Sequence, residues 1–233
     1  MSYDGSKFYG MQKQPDKITV QGSIENALKR LNINSDVLHA GRTDRGVHAL
    51  NQVVSFKLPS FWNQNKLLTE LNKILHPNIH IKKFYNVNDD FNPRFDAKKR
   101  SYRYILNPNF NPFSANYTTY YPHKINISLL KKALKEFEGI HDFEYFAKTG
   151  SDVNNYIREI YKTDVYKYKN FTVIKIVGNG FLRAQIRLIV DFVLKINENK
   201  LTVQDLQKQL SKQELISKHL APPNGLYLDR IWY

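Results

Sequence analysis

The chain of 233 residues contains no cysteine. That excludes disulfides, thiolate zinc sites, thiol nucleophiles and the zinc deaminase arrangement. Glycine and proline are sparse, at 10 and 9, and no low-complexity stretch or linker stands out. Long apolar runs are missing too. The longest apolar region, from Ile186 to Ile196, is broken by Arg187, Asp191 and Lys195, so it cannot span a membrane. The first residues carry Asp4, Lys7, Lys13 and Asp16 where a signal segment would be apolar. These absences point to the cytoplasm. Acid is also in short supply: 21 Asp and Glu stand against 35 Lys and Arg, a net charge of +14. Such an excess favours a polyanionic partner, nucleic acid ahead of an anionic membrane surface. Fifteen Tyr and fourteen Phe add rings on which bases could stack, although most of them belong to a core.

Apolar spacing and punctuation predict the elements. Thr19 caps a helix to about Leu31, with Ile24, Ala27, Leu28 and Leu31 on one stripe. Gln52 to Leu58 alternates as a strand, with Val54, Phe56 and Leu58 on one face. Lys66 to Leu75 reads as a helix that Pro77 ends. Ile79 to Val87 is expected as a strand, Asp90 to Arg100 as a basic loop, and Ser101 to Leu106 as a strand with Tyr102, Tyr104 and Leu106 on one face. A loop rich in Asn, Pro and Tyr follows, to Lys124. Ser128 then caps a helix that buries Leu130, Ala133, Leu134 and Phe137 and stops at Gly139. Arg158 to Tyr168 and Phe171 to Val177 form a hairpin around Lys169-Asn170. Phe181 to Ile196 and Thr202 to about Leu210 are helices, and Leu226 to Trp232 is a closing strand. The fold class expected is α+β with a largely antiparallel sheet. The strands-helix-strands order occurs twice, which predicts two similar lobes, 1–97 and 98–233, meeting near Lys98.

The densest chemistry lies in "HAGRTDRGVHAL", His39 to Leu50, where Asp44 is the one acid among Arg42, Arg45, His39 and His48. Asp-x-Gly is ordinary turn chemistry, with Gly46 free to take positive φ. The alternative makes Asp44 a nucleophile or base, kept ionised by neighbouring cations that also meet a phosphate backbone. No second acid lies close in sequence, so paired-carboxylate metal chemistry is not indicated, and His39 and His48 alone do not make a zinc site. "VGNGFLRA" offers Gly178 and Gly180 like a dinucleotide fingerprint. Arg183 occupies the third glycine position, however, and too little chain follows for a doubly wound sheet.

"GRTDRGVHA" closely resembles the catalytic motif of the TruA family of tRNA pseudouridine synthases. Further segments agree in order: "YDGSKFYG" from Tyr3, "TVQGSIENAL" from Thr19, "QVVSF" from Gln52, "RFDAKKRSYRY" from Arg94, "HDFEYF" from His141, "FLRAQIRLIV" from Phe181 and "APPNGLYL" from Ala221. The resemblance covers nearly the whole chain. It implies a pseudouridine synthase fold of two RRM-like lobes with the active-site cleft between them. It implies isomerisation of uridine to pseudouridine at positions 38, 39 and 40 of the tRNA anticodon stem-loop, by a homodimer that needs neither cofactor nor metal.

By the same resemblance Asp44 is the nucleophile, attacking either the base at C6 or the sugar at C1′. Arg42 helps flip the target and hold its place in the stack, since extruding a base costs a few kcal/mol. Tyr102 packs on the target base, Arg187 pairs with the aspartate, and Leu226 or Leu228 lines the pocket. This chain departs from the family pattern in three places. Only Met1 and Ser2 precede Tyr3, so either the native start lies upstream or the first strand is short. "GMQ" at Gly10 to Gln12 replaces "GWQ". Asp191 stands where glycine is usual after the arginine helix, four residues beyond Arg187 and eight beyond Arg183, so it is expected either to be solvated or to anchor Arg187. A different class of function, a non-catalytic basic RNA-binding protein with RRM-like lobes, fits the charge and the aromatics equally well. Asp44 discriminates against it, because a pure binder has no use for a carboxylate among cations.

Overall fold

A computed structural model describes residues 1–148, 150 and 155–233. Contacts divide the chain into two compact units, Met1–Lys98 with Tyr227–Tyr233, and Lys99–Leu226. The terminal residues from 227 thus group with the first unit, whereas the sequence reading placed all of 98–233 together.

The first unit carries four sheet strands in the order β5 (Ile79–His80), β1 (Ser2–Tyr3), β3 (His48–Ala49) and, from Tyr227 onward, β11 (Leu226–Trp232). The pairs are antiparallel except β3 with β11, where Tyr227 and Leu228 meet His48 and Ala49 in parallel. A separate hairpin pairs β2 (Leu38–His39) with β4 (Val54–Ser55). Helix α1 (Val20–Arg30) begins where the Thr19 hydroxyl accepts the Gly22 N–H, and it buries Val20, Ile24, Ala27 and Leu28. Helix α2 (Gln64–Leu75) is capped by Asn63 and buries Leu67, Leu71 and Leu75.

Two strands of this unit are far shorter than alternation predicts. The stretch expected from Ile79 to Val87 stops at His80, because the Asn72 amide takes both backbone groups of Ile81, accepting its N–H at 2.7 Å and donating to its carbonyl at 2.9 Å. A side chain replaces the neighbouring strand. The stretch expected over Gln52–Leu58 pairs only at Val54–Ser55, and the Lys57 N–H goes to the Ser35 hydroxyl instead.

The second unit has long strands in the order β6 (Lys99–Asn107), β10 (Phe171–Gly178), β9 (Ile157–Tyr168) and β8 (Gly139–Asp142), all antiparallel, with β7 (Thr119–Tyr120) parallel to β6. Phe171 pairs with Tyr168, so Lys169-Asn170 is the expected two-residue turn, with Lys169 at φ 54°. Helix α3 (Ile127–Lys135) packs on β9 and on α4 (Gln185–Asn197). Its cap is Asn126, whose side chain accepts the Leu129 N–H, and not Ser128. Helix α5 (Val203–Leu210) opens with a capping box between Thr202 and Asp205. The core joins Phe137, Phe143, Phe146 and Phe192 beneath these helices. Helix α4 starts at Gln185, four residues later than its apolar pattern suggests. Ala184 holds a left-handed conformation, φ 60°, and the buried Gln185 side chain accepts the Leu182 N–H at 2.8 Å. Both sheets are mainly antiparallel and the helices are interspersed, as an α+β chain requires.

Candidate active site

Asp44 sits in a turn that enters β3. Its carbonyl accepts the Val47 N–H at 3.1 Å and Gly46 takes φ 79°, so the turn chemistry expected of Asp-x-Gly is present. The turn is also buttressed from outside itself. A Cβ on Gly5 would lie 2.0 Å from the Val47 carbonyl oxygen, and one on Gly10 would lie 2.6 Å from that of Thr43. No side chain fits at either place, so the "YDGSKFYG" segment lays bare backbone against the turn. Hydrogen bonds fix the contact. Met11 N–H donates to the Thr43 carbonyl at 3.2 Å, the Tyr3 and Thr43 hydroxyls meet at 2.8 Å, and Gly5 N–H donates to His48 Nδ1 at 3.0 Å.

His48 is therefore structural: its Nδ1 is an acceptor, and its ring stacks on Tyr227 at 4.7 Å. Gln52, wholly buried, donates to the Gly41 carbonyl at 3.0 Å and accepts the Val53 N–H at 3.1 Å. Sequence reasoning missed the supporting parts played by Gly5, Gly10, Thr43 and Gln52. The signal available was an uncharged polar residue, Gln52, directly before the apolar pair Val53 and Val54.

The turn presents Asp44 half-buried, with Arg42 and Arg45 exposed on either side. The Arg45 guanidinium lies over the Tyr9 ring, 4.4 Å from its centroid. His39, on β2, has its pKa held below the ordinary 6.5, first by burial and then by the Arg42 and Arg94 guanidiniums. Leu228 is buried, and its carbonyl accepts the Leu50 N–H at 2.8 Å.

The second unit holds the other expected residues. Tyr102 is buried on β6, edge-on to Phe181 at 5.2 Å. Arg187 projects from α4 half-buried, and its Nε donates to the Ala221 carbonyl at 2.7 Å, while Ala221 N–H returns to the Arg187 carbonyl at 3.1 Å. The following residues are pinned as firmly. Tyr104 hydroxyl donates to the Pro222 carbonyl at 2.8 Å and meets the Thr119 hydroxyl at 2.7 Å, and the Asn224 amide bonds Thr119 and the carbonyls of Ala115 and Thr118. Burial pushes the Tyr104 hydroxyl pKa well up, while Thr119 and Arg187 pull it down. "APPNG" is thus a strap tied to α4, β6 and β7, and it leads into buried Leu226. Tyr104 and Asn224 anchor the strap, a part that the alternation of Ser101 to Leu106 does not reveal.

Two expectations about Asp191 are corrected. Arg183 precedes α4, so the stripe of Arg183, Arg187 and Asp191 along one helix does not exist. Asp191 is only 20% exposed, and its ion pair is made along its own helix. It pairs with Lys195 one turn later at 2.8 Å, both side chains three-quarters or more buried.

Known proteins give this arrangement a family. The sequence model of a family described as tRNA pseudouridine synthase matches residues 1–96 and 133–233. The chain is 44% identical over 234 residues to the tRNA pseudouridine synthase A of Campylobacter jejuni strain RM1221, covering 100% of this chain and 97% of that protein. It is 42% identical over 240 residues to the protein of the same name from Helicobacter pylori strain 26695, and 40% over 242 residues to that from Helicobacter hepaticus, with the same coverage. A likeness to one chain of a Cbf5-Nop10-Gar1 complex, at TM-score 0.39 and 13% identity, covers 82% of this chain and 44% of that one, and is too weak to bear on the fold. Matched along its full length by such relatives, the chain belongs to the tRNA pseudouridine synthase family.

Proposed function

We propose that this chain isomerises uridine to pseudouridine in the anticodon stem-loop of tRNA, at positions 38, 39 and 40, with Asp44 as the nucleophile. The observation that carries the assignment of Asp44 is its setting. It is a half-exposed carboxylate between exposed Arg42 and Arg45, on a turn that bare backbone at Gly5 and Gly10 holds in place. Product and substrate are isomers. The N1–C1′ bond breaks, a C5–C1′ bond forms, C5 gives up its proton and N1 gains one. Nothing is oxidised and no phosphate bond breaks, so a carboxylate that attaches covalently to base C6 or to sugar C1′ suffices.

A catalytic group placed within 0.5 Å of its working position needs a stiff support, and the turn's contacts supply one. Arg42, exposed two residues before Asp44, takes the place of the extruded base. Tyr102, Arg187, Leu226 and Leu228 take part in the same reaction in the roles that family resemblance gives them. The protein works in the cytoplasm as a homodimer that grips one tRNA across both subunits.

The test uses tRNA carrying tritium at uracil C5. The wild-type protein should release the label. Asp44→Asn should release none while still binding tRNA, because affinity comes mainly from phosphate contacts. Turnover by Asp44→Asn would overturn the assignment, and binding without any release by the wild type would favour a pure RNA binder.

A further inference from the structure

Tyr9 lies one residue before Gly10, the glycine whose bare backbone touches Thr43, and its ring stands 39% exposed. Two cations converge on it. Arg45 lies 4.4 Å and Lys17 Nζ 5.0 Å from the ring centroid. Both side chains are exposed, and among the described residues neither has an acidic partner within 4.0 Å. Nearby Lys13, by contrast, is neutralised by Glu25 at 2.8 Å.

At 4.4 and 5.0 Å from one centroid the two cations lie no more than about 9.4 Å apart, close to the screening length of about 8 Å at physiological salt, so their mutual repulsion is weak and falls further as salt rises. A cation–π contact at an exposed site returns about 0.5–1 kcal/mol each, enough to orient the two groups but not to neutralise them. The unbalanced charge therefore faces outward. Its place in the chain says toward what. Arg45 follows Asp44 directly, about 3.8 Å from Cα to Cα. A substrate that brings a nucleotide to Asp44 must run its phosphate backbone past this point.

We infer that Tyr9, Lys17 and Arg45 form a phosphate-gripping shelf that holds the tRNA backbone beside the nucleotide undergoing isomerisation. The inference rests on the assignment of Asp44 and adds to it a substrate subsite. Tyr9 is a positioning residue: its ring keeps the Arg45 guanidinium pointed away from the adjoining carboxylate and toward phosphate. Arg45 and Lys17 supply the charge. The shelf reads no base, so it should strengthen the binding of every substrate tRNA alike.

The test measures tritium release from C5-labelled tRNA over a range of salt concentrations. Arg45→Ala and Lys17→Ala should each raise KM about 3–10-fold with kcat little changed, and each should reduce the slope of log KM against log salt by about 0.7–0.9. Tyr9→Leu should raise KM about 2–3-fold and leave the slope intact, since both charges remain, and Tyr9→Phe should restore the wild-type KM. Lys73→Ala on α2, an exposed cation already paired with Glu70 at 2.8 Å, should match the wild type. Unchanged KM and slope in both charge variants would overturn the shelf, as would a fall in kcat alone for Arg45→Ala, which would place Arg45 at the chemical step. Failure of the underlying assignment looks different: Asp44→Asn would then turn over, whatever the shelf variants do.

Discussion

The turn around Asp44 and the strap around Arg187 solve one mechanical problem in opposite ways. The turn is held first by backbone contact: Gly5 and Gly10 press main chain on main chain and Met11 N–H donates to the Thr43 carbonyl, with the Tyr3, His48 and Gln52 side chains adding bonds around it. The strap is held by side chains: Arg187, Tyr104 and Asn224 reach out to the carbonyls of other segments. A backbone clamp tolerates no added atom but is indifferent to most side-chain chemistry nearby. A side-chain clamp tolerates bulk but fails by the loss of single polar groups. The two therefore break under different substitutions, and by different amounts.

The largest effect is expected at Gly5. An added methyl would sit 2.0 Å from a backbone oxygen, a contact no rotamer change relieves. Gly5→Ala should destabilise the protein by about 3 kcal/mol or more, or displace the turn and abolish turnover. Gly41, in the same turn, has nothing within 4 Å of its would-be Cβ. Gly41→Ala should change stability by less than about 1 kcal/mol. Denaturant melts of the two variants check the contrast, and equal losses would show that the clamp is not steric.

On the strap side, Tyr104→Phe removes a hydroxyl that bonds both Pro222 and Thr119 while leaving the ring packed. One carbonyl and one hydroxyl lose a partner, which costs about 1–2 kcal/mol. If the strap positions Arg187 through Ala221, turnover should fall by more than the lost stability accounts for at temperatures where the variant remains folded.

These contrasts also mark how much was legible in sequence. Helices α1, α2 and α5 and the β9–β10 hairpin follow from local signals: a capping hydroxyl, a period of 3.6, a proline stop, a two-residue turn. The turn at Asp44 was equally plain from Asp-x-Gly. What failed was long-range or polar. No local rule says that Asn72 will replace a strand at Ile81, or that Ala184 will turn left-handed and delay α4 by one turn. The Gly5–Val47 approach is invisible as well, since it joins residues 42 positions apart and leaves no side chain to read.

A smaller effect concerns pH. The folded state holds the His39 pKa below its ordinary 6.5, through burial and then Arg42 and Arg94. The unfolded chain therefore takes up a proton first as pH falls. The stabilising share of neutral His39 is full above 6.5 and is lost as pH drops through that value toward the folded pKa. His39→Gln should flatten the acid side of the stability curve, measured as melting temperature between about pH 7 and pH 5. An unchanged acid limb would assign it to the carboxylates instead.

The smallest effect belongs to Asp191, and it separates two views of the strap. Asp191 and Lys195 form an i, i+4 pair, 20% and 24% exposed, on the helix that bears Arg187. Such pairs on exposed surface are worth about 0.3–0.5 kcal/mol, and partial burial raises that only modestly, because desolvation of both ions offsets the stronger attraction. Alanine has better helix propensity than aspartate, which returns a few tenths of a kcal/mol. Asp191→Ala should therefore lower stability by about 0.5 kcal/mol or less. If the Arg187 side chain is set by its 2.7 Å bond to Ala221, kcat should stay within about twofold of wild type. Glycine would be a poorer probe, because in a helix interior it adds about 1 kcal/mol of its own. Should Asp191→Ala keep its stability but lose most of its turnover, Asp191 acts on Arg187 electrostatically, and the strap alone does not set the guanidinium. Asp191→Asn would then be equally impaired, since it keeps the shape and removes the charge.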